Sequence, residues 1–419
     1  MMLFSASSYN SPEWWVMNLL FFIVFLFFYP KLYIWAMFSK LDYYVKELEK
    51  YAKDAQDAVI KKVCKRKSKR SVKERILDFM DFFVSAPVDI DPYGILHKIQ
   101  HIILNMEEKI ENFAKEVIRE GENKRKIPDA ELKDVKYGLI GAMSVTQIYK
   151  VIRHYVEVAK KTKNFQIAMM LNMIMPEVMK MAKSSVKSTK AFLQEIPIGD
   201  GIGPLVAARN KKEEGEEIEK DVVVSEEKIA GKKVYVMKSK GPGPEISQAH
   251  LWKGMEKIVK EKKINYIITI DAALKFEGEK TGKVAEGVGI AMSPYGVDRP
   301  FMEEIATKNN IKLEGIIVKM SDYEASVPMC KEIYKAIPKV QEKLEELIKK
   351  NKDKNILIIG VGNTCGIGNS VKDVEGKKIE KKLRPFWRKY AMEKKKEEEE
   401  KKKWWKKLFS FDTFFIFGE

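Results

Sequence analysis

Hydrophobic residues follow three patterns along the chain. From Trp14 to Phe28 (WWVMNLLFFIVFLFF) no charge interrupts them, and the continuation YPKLYIWAMF carries the stretch to Phe38. From Leu41 to Lys183 they recur at helical spacing, beginning with Leu41, Tyr44, Val45, Leu48, Tyr51 and Ala52. Beyond Glu195 short apolar runs of strand length alternate with helical segments. Ile264–Ile290, INYIITIDAALKFEGEKTGKVAEGVGI, is the centre of that third region. Ile264, Tyr266, Ile267, Ile268 and Ile270 keep no polar alternation, as expected of a strand buried on both faces of a parallel sheet.

The first pattern predicts a transmembrane helix over 14–38, since a bilayer needs about 20 apolar residues at about 1.5 Å each. Trp14, Trp15, Tyr29, Tyr33 and Trp35 suit interfacial positions, and Lys31 can snorkel. No lysine or arginine precedes the run and no small-residue site follows it, which sets it apart from a cleavable signal. Residues 1–13 carry only Glu13, whereas Lys40, Lys46, Lys50 and Lys53 follow, so the N-terminus is expected outside and the main body in the cytoplasm.

The second pattern predicts a helical stalk or bundle over 39–194. Leu41–Lys65 is followed by the basic cluster Lys61–Arg70, suited to anionic lipid or to a solvated linker. Two helices separated by Pro87, Pro92 and Gly94 follow between Arg75 and Arg119, then Val135–Lys160 and Asn164–Lys183. The last is rich in methionine (Met169, Met170, Met173, Met175, Met179, Met181), read as packing within a bundle. His97 and His101 share a helical face, but the glutamate of HExxH is absent.

The third pattern predicts an α/β domain over 195–375 with a mostly parallel sheet. Expected strands are Lys232–Lys238, the run ending at Asp271, Leu313–Met320 and Asn355–Gly360, the last closing the sheet. Expected helices follow GPGPE (Gly241–Glu245) to about Lys262 and cover Phe301–Asn309 and Val327–Lys350. Glu195–Asn210 reads as a glycine turn (Gly199, Gly201, Gly203) opening a helix at Pro204. Gly278, Gly282, Gly287 and Gly289 mark a glycine-rich loop after Asp271, and Gly360, Gly362 and Gly366 another.

Composition adds a net charge of +17, which suits an anionic surface, lipid or nucleic acid. Three scattered cysteines and four histidines leave little for disulfides, zinc or imidazole catalysis. No GxxxxGK[ST] occurs, which argues against a P-loop nucleotidase. The tail over 376–419 is a lysine-rich run broken by Glu397–Glu400, then Trp404–Phe417 (WWKKLFSFDTFFIF), suited to the membrane interface or to packing on the protein itself.

Segments of the α/β region resemble hydrogenase-maturation endopeptidases. GDGIGPLVA is similar to their acidic glycine turn, IITIDAALKFEG to their central strand, and LEGIIVKMSDYEASVPMCKEIYKAIPKVQEKLEELI to their last strand and helix. The resemblance implies a phosphorylase/hydrolase-like fold and a metal held by Asp200 and Asp271. The family histidine is missing from SPYGVDRPF, where Asp298 is the nearest substitute. The family's GxGN strand stands here at the far end, as Gly360–Asn363, which implies a circular permutation that brings Gly362 beside Asp200. Taken whole, the chain resembles an archaeal family of membrane-anchored proteins carrying domain of unknown function 1512. That likeness rests on the apolar N-terminal segment, GDGIGP, GEKTGKVAEGVG, GVDR and GVGNTCGIGN.

The candidate chemistry is therefore Asp200, Asp271 and Asp298 as carboxylates for Mg²⁺, Ca²⁺ or Mn²⁺. Backbone from Gly199, Gly201, Gly203, Gly241, Gly243, Gly278, Gly282, Gly287, Gly289, Gly360, Gly362, Asn363 and Gly366, with Lys283, would surround a ligand. Each aspartate also has a structural role open to it: a turn for Asp200, a helix cap for Asp271, a pair with Arg299 for Asp298. Cys365 is a thiol with no histidine near it in sequence to activate it. Three functions stay open: a membrane-anchored metal- or ligand-binding hydrolase, a non-enzymatic scaffold for protein partners, and a nucleic-acid- or ribosome-associated membrane protein.

Overall fold

The computed structural model describes residues 12–64, 70–82, 94–121, 126–246, 250–290, 298–351 and 354–408. Residues 1–11, most of the Lys61–Arg70 cluster, Pro87, Pro92, most of SPYGVDRPF and the tail beyond Leu408 lie outside them. Five helices precede the Gly199–Gly201 turn among the described residues: α1 (Pro12–Val63), α2 (Arg70–Phe79), α3 (Ile95–Gly121), α4 (Asp129–Thr162) and α5 (Phe165–Leu193). The chain divides into two compact units, Met1–Asp54 with Ser144–Lys183, and Ala55–Met143 with Ser184–Glu419.

In the first unit, α1 runs unbroken through Pro30, so the apolar segment and the start of the stalk form one helix of 52 residues. Its first part is long and apolar enough to cross a membrane, and the most apolar stretch is not buried by protein. Burial begins at Met37. From there Met37, Leu41 and Leu48 pack on Ile152, Val156 and Ala159 of α4 and on Ala168, Leu171 and Met175 of α5. Spacings of three, four and seven place these side chains on one helical face.

The second unit is built on a seven-stranded sheet of order β1-β2-β3-β7-β4-β6-β5. Its strands are β1 (Glu216–Glu219), β2 (Val222–Ile229), β3 (Lys232–Ser239), β4 (Tyr266–Leu274), β5 (Val284–Val288), β6 (Lys312–Met320) and β7 (Ile356–Gly360). The sheet is mixed, not mostly parallel: β3–β7, β7–β4 and β4–β6 are parallel, while β1–β2, β2–β3 and β6–β5 are antiparallel. The antiparallel half comes from tight turns. Ala230 and Gly231 have φ of 49° and 81°, the two-residue geometry that matches strand twist and folds β3 straight back on β2. β7 lies in the middle of the sheet rather than closing its edge.

The remaining helices are α6 (Ile202–Arg209), α7 (Leu251–Lys262), α8 (Asp298–Lys308), α9 (Asp322–Ser326), α10 (Lys331–Lys335), α11 (Ile337–Lys350), α12 (Val371–Val374) and α13 (Lys378–Leu408). α6 and α11, with the start of α13, cover one sheet face through Ile268, Ile270, Ile316 and Ile358; α7 and α8 cover the other through Ile267, Leu357 and Ile359. The expected helix over Val327–Lys350 is two helices, α10 and α11, after a non-helical start. Pro328 precedes α10, and Pro338 sits in the first turn of α11, where its missing N–H leaves no bond unmade.

A buried ionic cluster ties α4 to the sheet. Lys133 Nζ lies 2.5 Å from Asp221 Oδ1 and 3.7 Å from Glu245 Oε2, and the Tyr137 hydroxyl donates to Glu245 Oε1 at 2.8 Å. Removing the cation that contacts both Asp221 and Glu245 leaves two largely buried carboxylates without their shared ion pair. Lys133→Met is therefore expected to lower unfolding free energy by about 3–5 kcal/mol. Denaturant titration of the purified full chain in detergent checks this, and a change below about 1 kcal/mol would show that the cluster is well solvated.

Candidate functional site

β4 and β7 lie side by side, with Ile270 opposite Gly360 at the last shared register position. Beyond it the two chains part. β4 proceeds through β5 and α8 to β6, whereas the β7 loop turns back toward β3, where Asn369 Oδ1 accepts from Lys238 Nζ at 2.9 Å. Neighbouring parallel strands whose continuations diverge leave a crevice at their carboxyl ends, the usual ligand position in open α/β sheets.

A 3₁₀ turn, Gly199–Gly201, and then α6 cross these strand ends at backbone contact. A Cβ on Gly203 would stand 2.2 Å from both the Ile270 and Val361 carbonyl oxygens. One on Gly362, whose φ is +124°, would stand 2.0 Å from the Asp200 carbonyl. The two segments that are distant in sequence therefore meet. The Asn363 amide donates to Asp200 Oδ2 at 2.9 Å, and the Asn363 side-chain oxygen accepts from Cys365 N at 2.9 Å.

Asp271 is the first residue of β4 past its pairing with β7 and is 3% exposed. Its Oδ1 accepts from the amide of Ala272 at 2.6 Å, whereas its Oδ2 is buried without a partner, as is Asn363 Nδ2. Burial pushes the Asp271 carboxyl well above its ordinary range, and the neighbouring Asp200 charge pushes the same way. Asp200, which keeps some solvent contact, is raised by burial to about 6, partly offset by the Asn363 N–H. No lysine or arginine contributes to either shift. Two acids thus neighbour each other at the strand ends, with no basic group among the causes of either shift.

The other expected residues separate into groups. Asp298 is buried, and its Oδ1 accepts from Trp252 N at 3.2 Å, capping the first turn of α7. It forms no metal set with Asp200 and Asp271: among the described residues no group of three or more His, Cys, Asp or Glu is placed to hold a metal. His101 instead contacts Asn105 at 3.0 Å, and His97 lies against Phe301 with ring centroids 5.3 Å apart. Gly241, Gly243 and Gly366 line a separate cavity of about 490 Å³ with Lys240, Asn369 and Lys382. Gly278 and Gly282 are turn residues of positive φ. Gly287 and Gly289 are not loop residues over Asp271: Gly287 is in edge strand β5 opposite Gly315, and the Gly289 amide bonds Leu313 farther down the sheet. The Lys283 carbonyl accepts from Lys319 N, which holds the chain entering β5 to β6. Cys365 is fully buried, and burial raises its thiol well above the usual range, so it is no thiolate nucleophile. Sequence reasoning passed over Lys211 and Lys238, both fully buried, and the Tyr137–Glu245 bond; no motif marks these residues.

Fold and site together define a mixed α/β domain with two neighbouring acids at the carboxyl ends of its central parallel strands, in a chain whose first helix is long enough for a bilayer. Two family models match nearly end to end: the DUF1512 N-terminal domain of a protein of unknown function over residues 15–195, and the DUF1512 C-terminal domain of unknown function over 198–368. The chain belongs to the DUF1512 family. No curated protein and no solved structure matches it.

The glycine contacts give a direct test. Gly203→Ala is expected to lose about 3 kcal/mol or more, because two backbone carbonyls cannot both retreat. Gly287→Ala, with nothing within 4 Å of the added Cβ, should stay within about 0.5 kcal/mol of the parent. Thermal unfolding of both variants checks the contrast, and equal losses would refute the close approach.

Proposed function

We propose that the C-terminal domain binds a hard divalent cation, Mg²⁺, Mn²⁺ or Ca²⁺, between Asp200 and Asp271. A small polar ligand would bind in the crevice beside it, and hydrolysis is the reaction the site is suited to. The observation that carries this is the acid pair lacking any basic partner, one oxygen of which is buried and unbonded. Mg²⁺ in particular is held by one or two carboxylates and otherwise by water and ligand oxygens. A bound cation would supply Lewis acidity and an acidified water. The chain's own part is to exclude solvent around Asp271, to fix Asp200 through the Asn363 amide, and to leave backbone rather than side chains at the crevice floor. The endopeptidase resemblance puts its first two ligands on the same two residues and implies a permuted, peptidase-like fold, which supports the same reading.

A shared proton is the second occupant that the pair admits, because each acid is raised by burial. In either case α1 would tether the domain to a membrane, the chain after it facing the cytoplasm by the lysines that follow the apolar segment.

Cation binding is tested by thermal unfolding with Mg²⁺, Mn²⁺ and Ca²⁺ against chelator. Stabilisation of about 2.7 kcal/mol is expected at a hundred times the dissociation constant. It should vanish in Asp200→Asn and Asp271→Asn. No response to any of the three ions leaves the shared proton. Without cation the sign is fixed by the raised acid. The unfolded state releases the Asp200 proton near 3.8 and the folded state near 6, so its contribution is most favourable below pH 4 and declines up to pH 6. In chelator, Asp200→Asn is thus expected to stabilise the protein at pH 8 by about 1–3 kcal/mol, the upper figure reduced for its partial exposure, and to have little effect at pH 4. Destabilisation at pH 8 would mark Asp200 as a structural acid.

A further inference from the structure

We propose that the tip of the α4–α5 hairpin is a second membrane contact, seated in the interfacial layer of the leaflet from which α1 emerges. The proposal rests on the membrane reading of α1 given above, and it assigns to lipid a surface that sequence alone reads as bundle packing. On α5 the inward positions Ala168, Leu171 and Met175 are buried against α1 and α4. The outward positions of its first three turns are nevertheless mostly apolar, Gln166 being an exposed polar exception. Phe165, Met169, Met170, Met173 and Ile174 are all exposed, Met173 to 75%. Only from Glu177 and Lys180 onward does that face become charged. A water-facing helix does not ordinarily keep five large apolar residues in a row of turns, since a solvated face is polar.

Position says what covers them. The Phe165 ring lies 6.2 Å from that of Tyr33, which belongs to the apolar stretch of α1, and Lys160 pairs with Asp42 just beyond it. The α4–α5 turn is therefore level with the end of the predicted bilayer span. Along α1 the exposed Leu32, Tyr33 and Trp35 lie on the same level, so the apolar surface of the hairpin continues that of the anchor. Lys161 and Lys163 are exposed in the turn, and Lys31 and Lys40 are exposed on α1 nearby. Cations beside aromatic and methionine side chains form the composition of an interfacial helix on anionic lipid. A second copy of the chain would bury the methionines equally well, but it would bring the two sets of lysines together.

The test uses the full chain in nanodiscs of phosphatidylcholine and phosphatidylglycerol, with Cys64 and Cys330 exchanged for serine and Cys365 left in its buried position. An environment-sensitive fluorophore is attached at Phe22→Cys, Met173→Cys or Lys180→Cys, and spin-labelled lipid is added as quencher. Met173→Cys is expected to lose most of its emission to the lipid-borne quencher. Lys180→Cys, two turns along the same face and about 10 Å farther, should lose little. Quenching at 22 without quenching at 173 would overturn the second contact while leaving the anchor. Quenching at neither would overturn the membrane reading and this inference with it. A shielded probe at 173 that lipid does not quench, in discs holding two chains, would assign the surface to a second copy and overturn the lipid contact.

Discussion

The C-terminal unit depends on one close approach, that of α6 to the ends of β4 and β7. Gly203 and Gly360 bring helix and strand backbones together where a single methyl group would collide with carbonyl oxygens. That contact sets Asp200 over the strand ends and draws the Gly362 loop against its carbonyl. The burial of both acids follows from it: once the 3₁₀ turn sits on the β7 loop, water is excluded from Asp271 and largely from Asp200. The electrostatics of the crevice are thus a consequence of sterics among residues with no side chains. The two carboxyls are positioned by backbone, and a ligand of the proposed kind would meet amides and carbonyls as readily as carboxylates.

Much of this was legible as pattern. β4, β6 and β7 are unbroken apolar runs because helices cover both sheet faces, and such burial leaves no polar alternation to misread. The meeting of Asp200 with Gly362 was legible from two glycine motifs that resemble parts of one site. β1 and β2 were missed because their charges (EEIE, VVVSEEKI) disguise half-covered antiparallel strands, and the parallel bias followed from that omission. β5 was read as loop for its glycines, though an edge strand with one open side can hold them. Asp298 followed the resemblance into the site, while its cap on α7 depends on a tertiary approach that no local spacing encodes.

The unit that holds the apolar segment of α1 shows the same limit from the other side. Periodicity alone finds the inward stripe of α5, but it cannot say that the opposite face is also largely apolar and exposed among the described residues. Here the helical pattern is overlaid by a second one, uncharged through Pro176 and charged afterward. Two superposed patterns mean two environments, packed helices on one side and something other than bulk water on the other.

Compensation of charge separates the structural acids from the candidate site. Asp221 and Glu245 are both held by Lys133, and Glu245 also takes the Tyr137 hydroxyl. Lys238, wholly buried, donates hydrogen bonds to two neutral acceptors, Ser239 O and Asn369 Oδ1. Within the same unit the chain therefore supplies a cation to Asp221 and Glu245, though it also buries Lys211 Nζ without a hydrogen-bond partner. At Asp200 and Asp271 it supplies one amide each and no cation. Two carboxyls raised by burial destabilise the folded state near neutral pH, and asparagine at either position would keep the accepted amide bond without that penalty. An arrangement whose charge works against stability supports the proposed reading of the pair as a binding site. The missing charge is the part that a cation or a proton would bring.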